Sequence, residues 1–424
     1  MSVSADRIAA ARILVRVEGG AFAARLLERT GRPGVRVRVL GVLRWQRLLD
    51  VVLSASSRRP VVRLDPEVRA VLRSALFEAA KLGVPAPVAV DAAVRLTRRL
   101  GKSSAAGFVN AVLRRAAARF DAMASAEPLE IRYSHPGWLW RRWRAHFGAS
   151  AAEAVMDVDQ RPADLWLWCA GGVKALPGEI ADQLEAHTWC PGAYRAAGKA
   201  SAVIRAVREG LVYVQDPASQ LVAHLAVALA SGIPQPRLAD VCAAPGGKAG
   251  LAAGLGAWDR VAAVELRIGR ARLMTANLRR LGRPVAVVAG DAAQSPLAPR
   301  AWDVVMLDAP CSGTGTLRRH PDLKWRLEAT SLGRLARAQA GMLRAAFQLL
   351  RPGGIVLYTT CSIEPEENEA LFDGLRAPFE MVPLDGLMPA GCPAMKTAAG
   401  GVRLLPSADS DGFTFHAVRY NPHL

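Results

Sequence analysis

The sequence has little cysteine and none of the spacings that bind a structural metal. Six cysteines occur in 424 residues, with no CxxC pair and no histidine cluster near them. This pattern excludes the usual zinc sites, and so sparse a set in so long a chain does not predict a disulfide framework. We therefore expect no metal and free thiols in a reducing cytoplasm.

Long apolar runs are also absent. No run approaches the roughly 18 residues of a membrane-spanning helix. The first twenty residues carry an arginine every four or five positions and have no apolar core of the kind found in a secretory signal. The sequence thus predicts a cytoplasmic protein without a membrane segment.

Lysine is scarce, whereas arginine is abundant. Only 7 of the 55 basic residues are lysine, and the formal net charge is +18. A GC-rich genome would favour arginine over lysine, but it does not explain the uneven distribution: residues 1–125 hold 23 basic against 9 acidic side chains. A basic region of this kind predicts a polyanionic partner, most often a nucleic acid.

The hydrophobic periodicity changes along the chain and predicts a multi-domain protein with three regions. Residues 1–125 show five amphipathic helical segments separated by Gly and Pro, which indicates a helical bundle. Residues 126–210 begin with the Trp- and Arg-rich helix SHPGWLWRRWRAHFG, which could stack on bases or pack between domains. A small α/β region follows, in which ADLWLWCA could be a strand, PGEIADQLEAHT a helix, and SAVIRAVREG a strand or a helix. Residues 211–424 alternate strands with helices, of which the helix over PEENEALFDGL is the last, and this alternation predicts a parallel, doubly wound α/β sheet.

A Gly-rich loop follows the first of these strands in the segment DVCAAPGGK. It is neither a GxGxxG dinucleotide motif nor a Walker loop, because Ala249 stands where Ser or Thr is required. Glu265, Asp291 and Asp308 end the next three strands. Each could simply cap a helix, but together they predict a nucleoside site without a phosphate cradle. This favours S-adenosylmethionine over NAD or ATP.

Cys311 and Cys361 also lie at strand ends of the same predicted sheet. A single cysteine is usually an inert small hydrophobe, but two at one edge suggest reactive thiols. Glu364, Glu366 and Glu367 follow Cys361 closely in the sequence, and their negative charges would disfavour a thiolate there. A thiolate that adds to carbon 6 of a pyrimidine makes carbon 5 nucleophilic toward a methyl sulfonium, and a carboxyl such as that of Asp308 can stabilise the adduct.

The segments DVCAAPGGK, DAPCSGTGTLRRHPDLKW and YTTCSIEPEENE together resemble the Sun/RsmB family of RNA cytosine-5 methyltransferases. GFVNAVLRR in the basic helical region resembles the NusB-like N-terminal domain of the bacterial 16S ribosomal RNA member. YSHPGWLWRRW and EGLVYVQDPASQLVA extend the resemblance through the connecting region. It implies a NusB-like RNA-binding bundle at 1–125, linker helices with a small α/β RNA-binding subdomain at 126–210, and a Rossmann-like catalytic domain at 211–424.

The resemblance also implies residue roles. From the residues alone the nucleophile remains open, and Pro310-Cys311 favours Cys311, because DNA cytosine-5 methyltransferases carry their nucleophile in such a Pro-Cys pair. The resemblance instead implies that Cys361 is the nucleophile and that Cys311 assists release of the methylated RNA. Asp308 would also contact the cytosine, and Lys248 would position ligand or base. The S-adenosylmethionine site would be lined by Cys242, Ala243, Ala244, Pro245, Gly246, Gly247, Lys248, Glu265, Asp291 and Asp308.

The basic segment RRHPDLKWR completes the predicted site. It could be a solvated loop, but beside a cytosine pocket we expect Arg318, Arg319, Lys324 and Arg326 to contact backbone phosphates. The target base would have to leave its stack to reach a thiolate. The expected function is methylation of 16S ribosomal RNA by a monomer. The alternatives are a transfer RNA methyltransferase and a non-catalytic RNA-binding or antitermination factor with a relic fold.

Overall fold

The computed structural model describes residues 4–57, 59–197 and 200–423. Its contacts divide the chain into two compact units: Met1–Pro162 with Leu317–Leu327, and Ala163–Thr316 with Glu328–Leu424. We call them the helical unit and the sheet unit. These units do not follow the predicted boundaries, because residues 126–162 group with the helical bundle and 163–210 group with the sheets. The division into three domains stays a prediction, and residues 198–199 of its middle region lie outside the described residues.

The elements of the described residues are numbered in chain order. The helices are α1 Ala5–Glu18, α2 Ala23–Glu28, α3 Pro33–Ser57, α4 Pro66–Lys81, α5 Ala86–Arg99, α6 Ala106–Ala126, α7 Leu129–Arg132, α8 Gly137–Phe147, α9 Ala149–Asp159, α10 Gly178–Ala181, α11 Ala200–Arg208, α12 Pro217–Leu229, α13 Gly247–Leu255, α14 Ile268–Arg280, α15 Leu323–Arg326 and α16 Ala329–Leu349. The strands are β1 Trp166–Cys169, β2 Leu184–Ala186, β3 Ala193–Ala196, β4 Val212–Val214, β5 Arg237–Asp240, β6 Arg260–Glu265, β7 Ala286–Ala289, β8 Trp302–Asp308, β9 Leu350–Thr360, β10 Phe379–Val382, β11 Met395–Lys396, β12 Val402–Leu404 and β13 Phe413–Tyr420.

The helical unit confirms the five helices predicted from the apolar periodicity, which are α1, α3, α4, α5 and α6. Their apolar faces meet in one core that runs from α1 to α6. The start of α4 is specified locally, because the Asp65 carboxylate accepts the backbone N–H of Glu67 at 3.0 Å and Pro66 occupies the first helical position. The Trp- and Arg-rich segment forms α8, and it buries Leu139 and Trp143.

The first part of the sheet unit is a four-stranded antiparallel sheet with the order β2-β3-β1-β4. It confirms the small α/β region and the strand predicted at ADLWLWCA. The helix expected over PGEIADQLEAHT is reduced to α10, because the chain turns into β2 three residues later. The segment SAVIRAVREG, which could have been a strand or a helix, forms α11.

The second part is a nine-stranded sheet with the order β11-β12-β13-β9-β8-β5-β6-β7 and β10 paired with β13. Strands β5 to β9 are parallel neighbours, as predicted, whereas β10 to β13 add an antiparallel extension. Alternate residues of β8 face opposite sides: Val304 and Met306 join one core, and Val305 and Leu307 join another. Helices α12 and α16 cover these two faces, so the carboxyl ends of the parallel strands form one edge.

One predicted helix is wrong. The segment PEENEALFDGL forms two short 3-10 turns, Pro365–Glu367 and Glu369–Phe372, instead of an α-helix. They are separated by Asn368, whose backbone is far from helical at φ −132° and ψ −107°. The Asn368 side chain accepts a hydrogen bond from the Thr360 hydroxyl at 2.7 Å and donates to the Glu364 carbonyl at 2.8 Å, so tertiary contacts outweigh helix propensity here.

The packing of α3 against α4 depends on Gly41. A Cβ added at Gly41 would lie 2.0 Å from the ring of Phe77, whereas a Cβ at Gly341, in the middle of α16, would have nothing within 4 Å. We expect Gly41→Ala to lower the free energy of unfolding by roughly 1–3 kcal/mol through overpacking. Gly341→Ala is the matched control and should raise it by roughly 0.5–1 kcal/mol. Urea denaturation of both variants checks this, and equal effects would contradict the described packing.

Candidate functional site

Four carboxylates lie along the carboxyl edge of the parallel strands. Along the sheet order they are Asp308 at the end of β8, Asp240 at the end of β5, Glu265 at the end of β6 and Asp291 two residues beyond β7. The structure therefore brings Glu265, Asp291 and Asp308 to one edge, as predicted. Asp240, quoted in the motif but not predicted as a site residue, belongs to the same row.

Two of these acids also make local turns. Glu265 Oε1 accepts the backbone N–H of Arg267 at 3.0 Å, and Asp291 Oδ1 accepts that of Ala293 at 2.9 Å. One oxygen of each carboxylate is thus used to order the chain after its strand. The capping role and a ligand role are compatible, because a carboxylate has a second oxygen with its own lone pairs.

The Gly-rich loop 242–247 is held by backbone hydrogen bonds at its start and by side chains of α14. The N–H of Ala243 donates to the Val264 carbonyl at 3.0 Å, and Asn277 Nδ2 donates to the Pro245 carbonyl at 3.0 Å. Gly246 has a φ of +100°, and a Cβ at Gly247 would lie 2.5 Å from the Tyr213 ring. Both glycines are therefore required, the first by conformation and the second by close packing.

Beside this loop is a recess of about 160 Å³. It is lined by loop residues together with Tyr213, Gln215, Lys248 and Asp308. The recess lies at the same sheet edge as Glu265 and Asp291, although neither of these residues lines it. Contact of S-adenosylmethionine with the loop, Glu265 and Asp291 stays a prediction. Tyr213 and Gln215 had not been predicted, although they lie in the VYVQDP segment that carried part of the family resemblance.

Lys248 and Asp308 form an ion pair next to this recess. Lys248 Nζ is 2.7 Å from Asp308 Oδ2, and the other Asp308 oxygen accepts the Thr359 hydroxyl at 3.2 Å. Burial works against the charged ammonium, but the charge and hydrogen bond of Asp308, together with the charges of Asp240 and Cys361, outweigh it and raise the pKa of Lys248. The pair puts a fixed cation and an acceptor where a base could be bound.

Cys311 and Cys361 are in direct contact, with their sulfur atoms 3.3 Å apart. Cys311 follows β8 and Cys361 follows β9, so the parallel pairing of these strands brings the two thiols together. The hydrogen bond with Cys361 and burial raise the pKa of Cys311 well above its usual value. The two thiols predicted at one sheet edge are therefore found together.

Glu367 connects the loops that carry the two cysteines, and it is fully buried. Its Oε1 accepts the backbone N–H of Ser312 at 2.8 Å, and its Oε2 accepts the Ser362 hydroxyl at 2.5 Å and also contacts the Ser312 hydroxyl. Gln339 on α16 donates to Oε1 at 3.0 Å. The sequence had suggested Glu367 only as a charge opposing a thiolate, and a serine directly after each cysteine was the available signal for this network.

The basic segment 317–327 is partly buried within the helical unit. Lys324 Nζ donates to the Arg44 carbonyl at 2.9 Å, and Arg44 Nη2 donates to the Arg318 carbonyl at 2.7 Å. Lys324 and Arg318 are 1% and 2% exposed, and burial lowers the pKa of Lys324 to about 7. The prediction that these two side chains contact phosphates is therefore wrong, because neither is open to a polyanion.

The other two basic residues of the segment differ from these. Arg319 is half-buried, and Arg326 is exposed with its Nη1 donating to the Gly20 carbonyl at 3.0 Å. The Arg326 guanidinium also lies over the Phe22 ring, 4.0 Å from its centroid. Phosphate contacts by Arg319 and Arg326 stay predictions.

The described residues contain neither a metal-binding cluster nor a membrane-spanning helix. Among them, no group of three or more His, Cys, Asp or Glu side chains has a metal-binding arrangement. None of their helices is both long and apolar enough to span a bilayer.

Among the four carboxylates of the row, Asp240 is the one whose ionisation most destabilises the folded state. It is 1% exposed, and neither of its carboxylate oxygens has a side-chain hydrogen-bond partner among the described residues. Burial raises the pKa of Asp240 to about 7, against the opposing attraction of Lys248. An unpartnered buried acid destabilises the folded state when it is ionised.

We expect Asp240→Asn to become more stable relative to the wild type as the pH rises from about 4 to about 7. The folded pKa lies above the unfolded one, so the wild type loses stability across that window and no further above it. A shift from the ordinary value to about 7 corresponds to at most about 4 kcal/mol. Denaturant unfolding at several pH values measures the difference.

Asp303→Asn is the control for this prediction. Asp303 is equally buried but pairs with Arg351 and accepts the Arg237 backbone N–H at 2.9 Å. Its replacement should therefore destabilise the protein at neutral pH. A pH-independent difference between wild type and Asp240→Asn would contradict the description of Asp240.

Comparisons with known proteins agree with this architecture. The family model described as 16S rRNA methyltransferase RsmB/F matches residues 228–418, and the NusB family model matches residues 4–118. The crystal structure of PH0851 has a TM-score of 0.77 at 23% identity and covers 99% of both chains, which shows a shared fold.

Two curated relatives extend the comparison over most of the chain. Ribosomal RNA small subunit methyltransferase B of Xanthomonas campestris is 36% identical over 394 residues, covering 86% of each chain. The protein of the same name from Vibrio cholerae is 30% identical over 409 residues, covering 90% of this chain and 88% of its own. With the strand-end carboxylates, the Gly-rich loop and the paired cysteines in place, the chain belongs to the RsmB/F family of 16S ribosomal RNA methyltransferases.

Proposed function

We propose that this protein methylates carbon 5 of a cytosine in 16S ribosomal RNA through a covalent adduct on Cys361. The observation that carries the proposal is the contact of two thiols at 3.3 Å beside the Lys248–Asp308 ion pair. Two relatives named ribosomal RNA small subunit methyltransferase B support the choice of RNA.

The reaction begins at the cysteines. Cys361 Sγ bonds to carbon 6 of the cytosine, and the electrons of the 5,6 double bond move toward carbon 5. The Asp308 carboxylate accepts a hydrogen bond from the 4-amino group of the base, and Lys248, 2.7 Å from Asp308, keeps that carboxylate oriented. S-adenosylmethionine, when bound, supplies the electrophilic methyl group that carbon 5 takes. Its ribose would be held by Glu265 and its adenine by Asp291.

Release reverses the addition. Carbon 5 loses its proton, the bond between carbon 6 and sulfur breaks, and the 5,6 double bond forms again. Cys311 carries a raised pKa and is therefore a thiol; it gives its proton to the departing sulfur of Cys361, 3.3 Å away, and takes up the proton that carbon 5 loses. The two cysteines thus have different tasks at the two ends of one cycle.

The helical unit offers a surface for RNA. A groove of about 680 Å³ runs along α5 and α6 and contains Arg98, Asn110 and Arg114. The one acid lining it, Asp91, forms an ion pair with Arg95 at 2.5 Å. The groove therefore presents positive charge and an amide to a ligand, which suits a phosphate backbone.

The adduct distinguishes the roles of the cysteines. Wild type, Cys311→Ala and Cys361→Ala are mixed with S-adenosylmethionine and RNA and run on a denaturing gel. We expect Cys311→Ala to trap a covalent protein–RNA band, because addition proceeds and release is slow. Cys361→Ala should give neither a band nor methylation. A band only in Cys361→Ala would exchange the two roles.

The same proteins decide between substrates. Purified 16S ribosomal RNA should accept methyl groups from the wild type, and transfer RNA should not. Methylation of transfer RNA alone would establish the alternative substrate. RNA binding without methylation of either RNA would favour a non-catalytic binding factor.

The groove can be tested through the salt dependence of RNA affinity. We expect Arg98→Gln with Arg114→Gln to weaken RNA binding and to reduce the slope of log K against log salt by about 1 for each phosphate that the variant no longer binds. The matched control is Arg344→Gln with Arg376→Gln, which removes two exposed arginines from the sheet unit. Equal slopes for the two double variants would remove the groove from the RNA-binding surface.

A further inference from the structure

The two cysteines have similar local settings, which leaves open why one and not the other should react. Each follows a parallel strand, each is partly exposed, and each is followed by a serine. The serine hydroxyls of Ser312 and Ser362 lie 3.0 Å apart. The position of each cysteine after its strand therefore does not explain which one is the nucleophile. A difference in reactivity must come from the groups around the two thiols.

Glu367 makes the surroundings of the two cysteines different. Its carboxylate accepts the Ser312 backbone N–H, the donor directly after Cys311, at 2.8 Å. That N–H is then not available to stabilise a thiolate at Cys311. The buried carboxylate also makes no ion pair among the described residues, so its negative charge acts on nearby groups with little screening.

The opposite charge acts on Cys361. The Lys248 ammonium, held by Asp308, interacts electrostatically with Cys361. A cation near a thiol favours the thiolate, and an anion near a thiol favours the neutral form. Lys248 therefore acts on Cys361, whereas Glu367 acts on Cys311.

We infer that the buried carboxylate of Glu367 decides which cysteine reacts: it fixes both cysteine loops through Ser312 and Ser362, occupies the backbone N–H next to Cys311 and leaves Cys361 as the reactive thiol. Glu367 is a positioning residue, because it touches the cysteine loops and not the base. This inference rests on the proposed function for its catalytic meaning, but its chemical content concerns the free protein.

The charged and titratable groups around the two thiols agree with this assignment. The groups that raise the pKa of Cys311 are Cys361, which also shares the hydrogen bond, then Glu367 and Asp308, with burial acting in the same direction. The buried Tyr358 hydroxyl donates to the Glu367 carbonyl at 2.7 Å and keeps its own proton, since burial raises its pKa. Lys248 is the cation of the set.

Alkylation of the free protein tests the inference without RNA or S-adenosylmethionine. Wild type and Glu367→Gln are treated briefly with iodoacetamide at neutral pH, and labelling of each cysteine is followed by peptide mass spectrometry. In the wild type Cys361 should react faster than Cys311. In Glu367→Gln we expect the ratio of the Cys361 rate to the Cys311 rate to fall about tenfold, the change that one pKa unit gives to a thiolate fraction.

Two controls separate charge from structure. Ser312→Ala removes one hydroxyl from the network but keeps the Glu367 charge; a fall of the ratio smaller than in Glu367→Gln assigns the effect to the charge, and an equal fall would contradict that assignment. Asp303→Asn neutralises a buried carboxylate at the other end of β8 and should also leave the ratio unchanged in folded protein. Circular dichroism establishes that each variant is folded.

The outcomes are distinguishable. An unchanged ratio in folded Glu367→Gln, or faster labelling of Cys311 in the wild type, would overturn the inference. If Glu367→Gln does not fold, Glu367→Asp keeps the charge and should keep the wild-type ratio, and loss of selectivity in that variant would also contradict it. A failure of methylation with the expected alkylation ratios would instead overturn the proposed function.

Discussion

The parallel pairing of β8 with β9 is the constraint on which the site depends. Its register sets Asp308 opposite Thr359, and a cysteine follows the end of each strand within three residues. Backbone hydrogen bonds along the strands therefore fix the separation of two thiols that lie 50 residues apart in sequence. The pairing of β5 with β8 extends the same edge to the Gly-rich loop, so ligand and base sites share one scaffold.

The cysteine loops add a second layer of order that the sheet alone does not supply. Glu367 is buried with no ion-pair partner among the described residues, an arrangement that destabilises the fold unless hydrogen bonds compensate for the removal of water. Here Ser312, Ser362 and Gln339 provide the donors, and Asn368 ties the same turn to the end of β9. Because both cysteine loops bind the same carboxylate, this network fixes the position of the two thiols relative to each other.

The segment 317–327 shows where local reasoning about charge fails. Its arginines and lysine are typical of a phosphate-binding loop. In the structure, however, Lys324 is buried and its ammonium donates to the Arg44 carbonyl, and Trp325 Nε1 donates to the Leu43 carbonyl at 2.7 Å. A basic side chain indicates a polyanion only if it is exposed. Exposure is decided by partners distant in sequence, here residues of α3 more than 270 positions away.

The sequence by itself determined the elements, because helix and strand periodicity, Pro and Gly punctuation and caps such as Asp65 are local. It also determined the row of carboxylates and the two cysteines, since side chains at the ends of parallel strands must meet at one edge. Only the tertiary structure decided the antiparallel extension β10–β13, the 3-10 turns around Asn368, the network at Glu367 and the burial of Lys324. The strand extension, the Glu367 network and the burial of Lys324 depend on hydrogen bonds between residues far apart in the chain. The turns at Asn368 depend on its side-chain hydrogen bonds to Thr360 and Glu364, which apolar periodicity does not reveal.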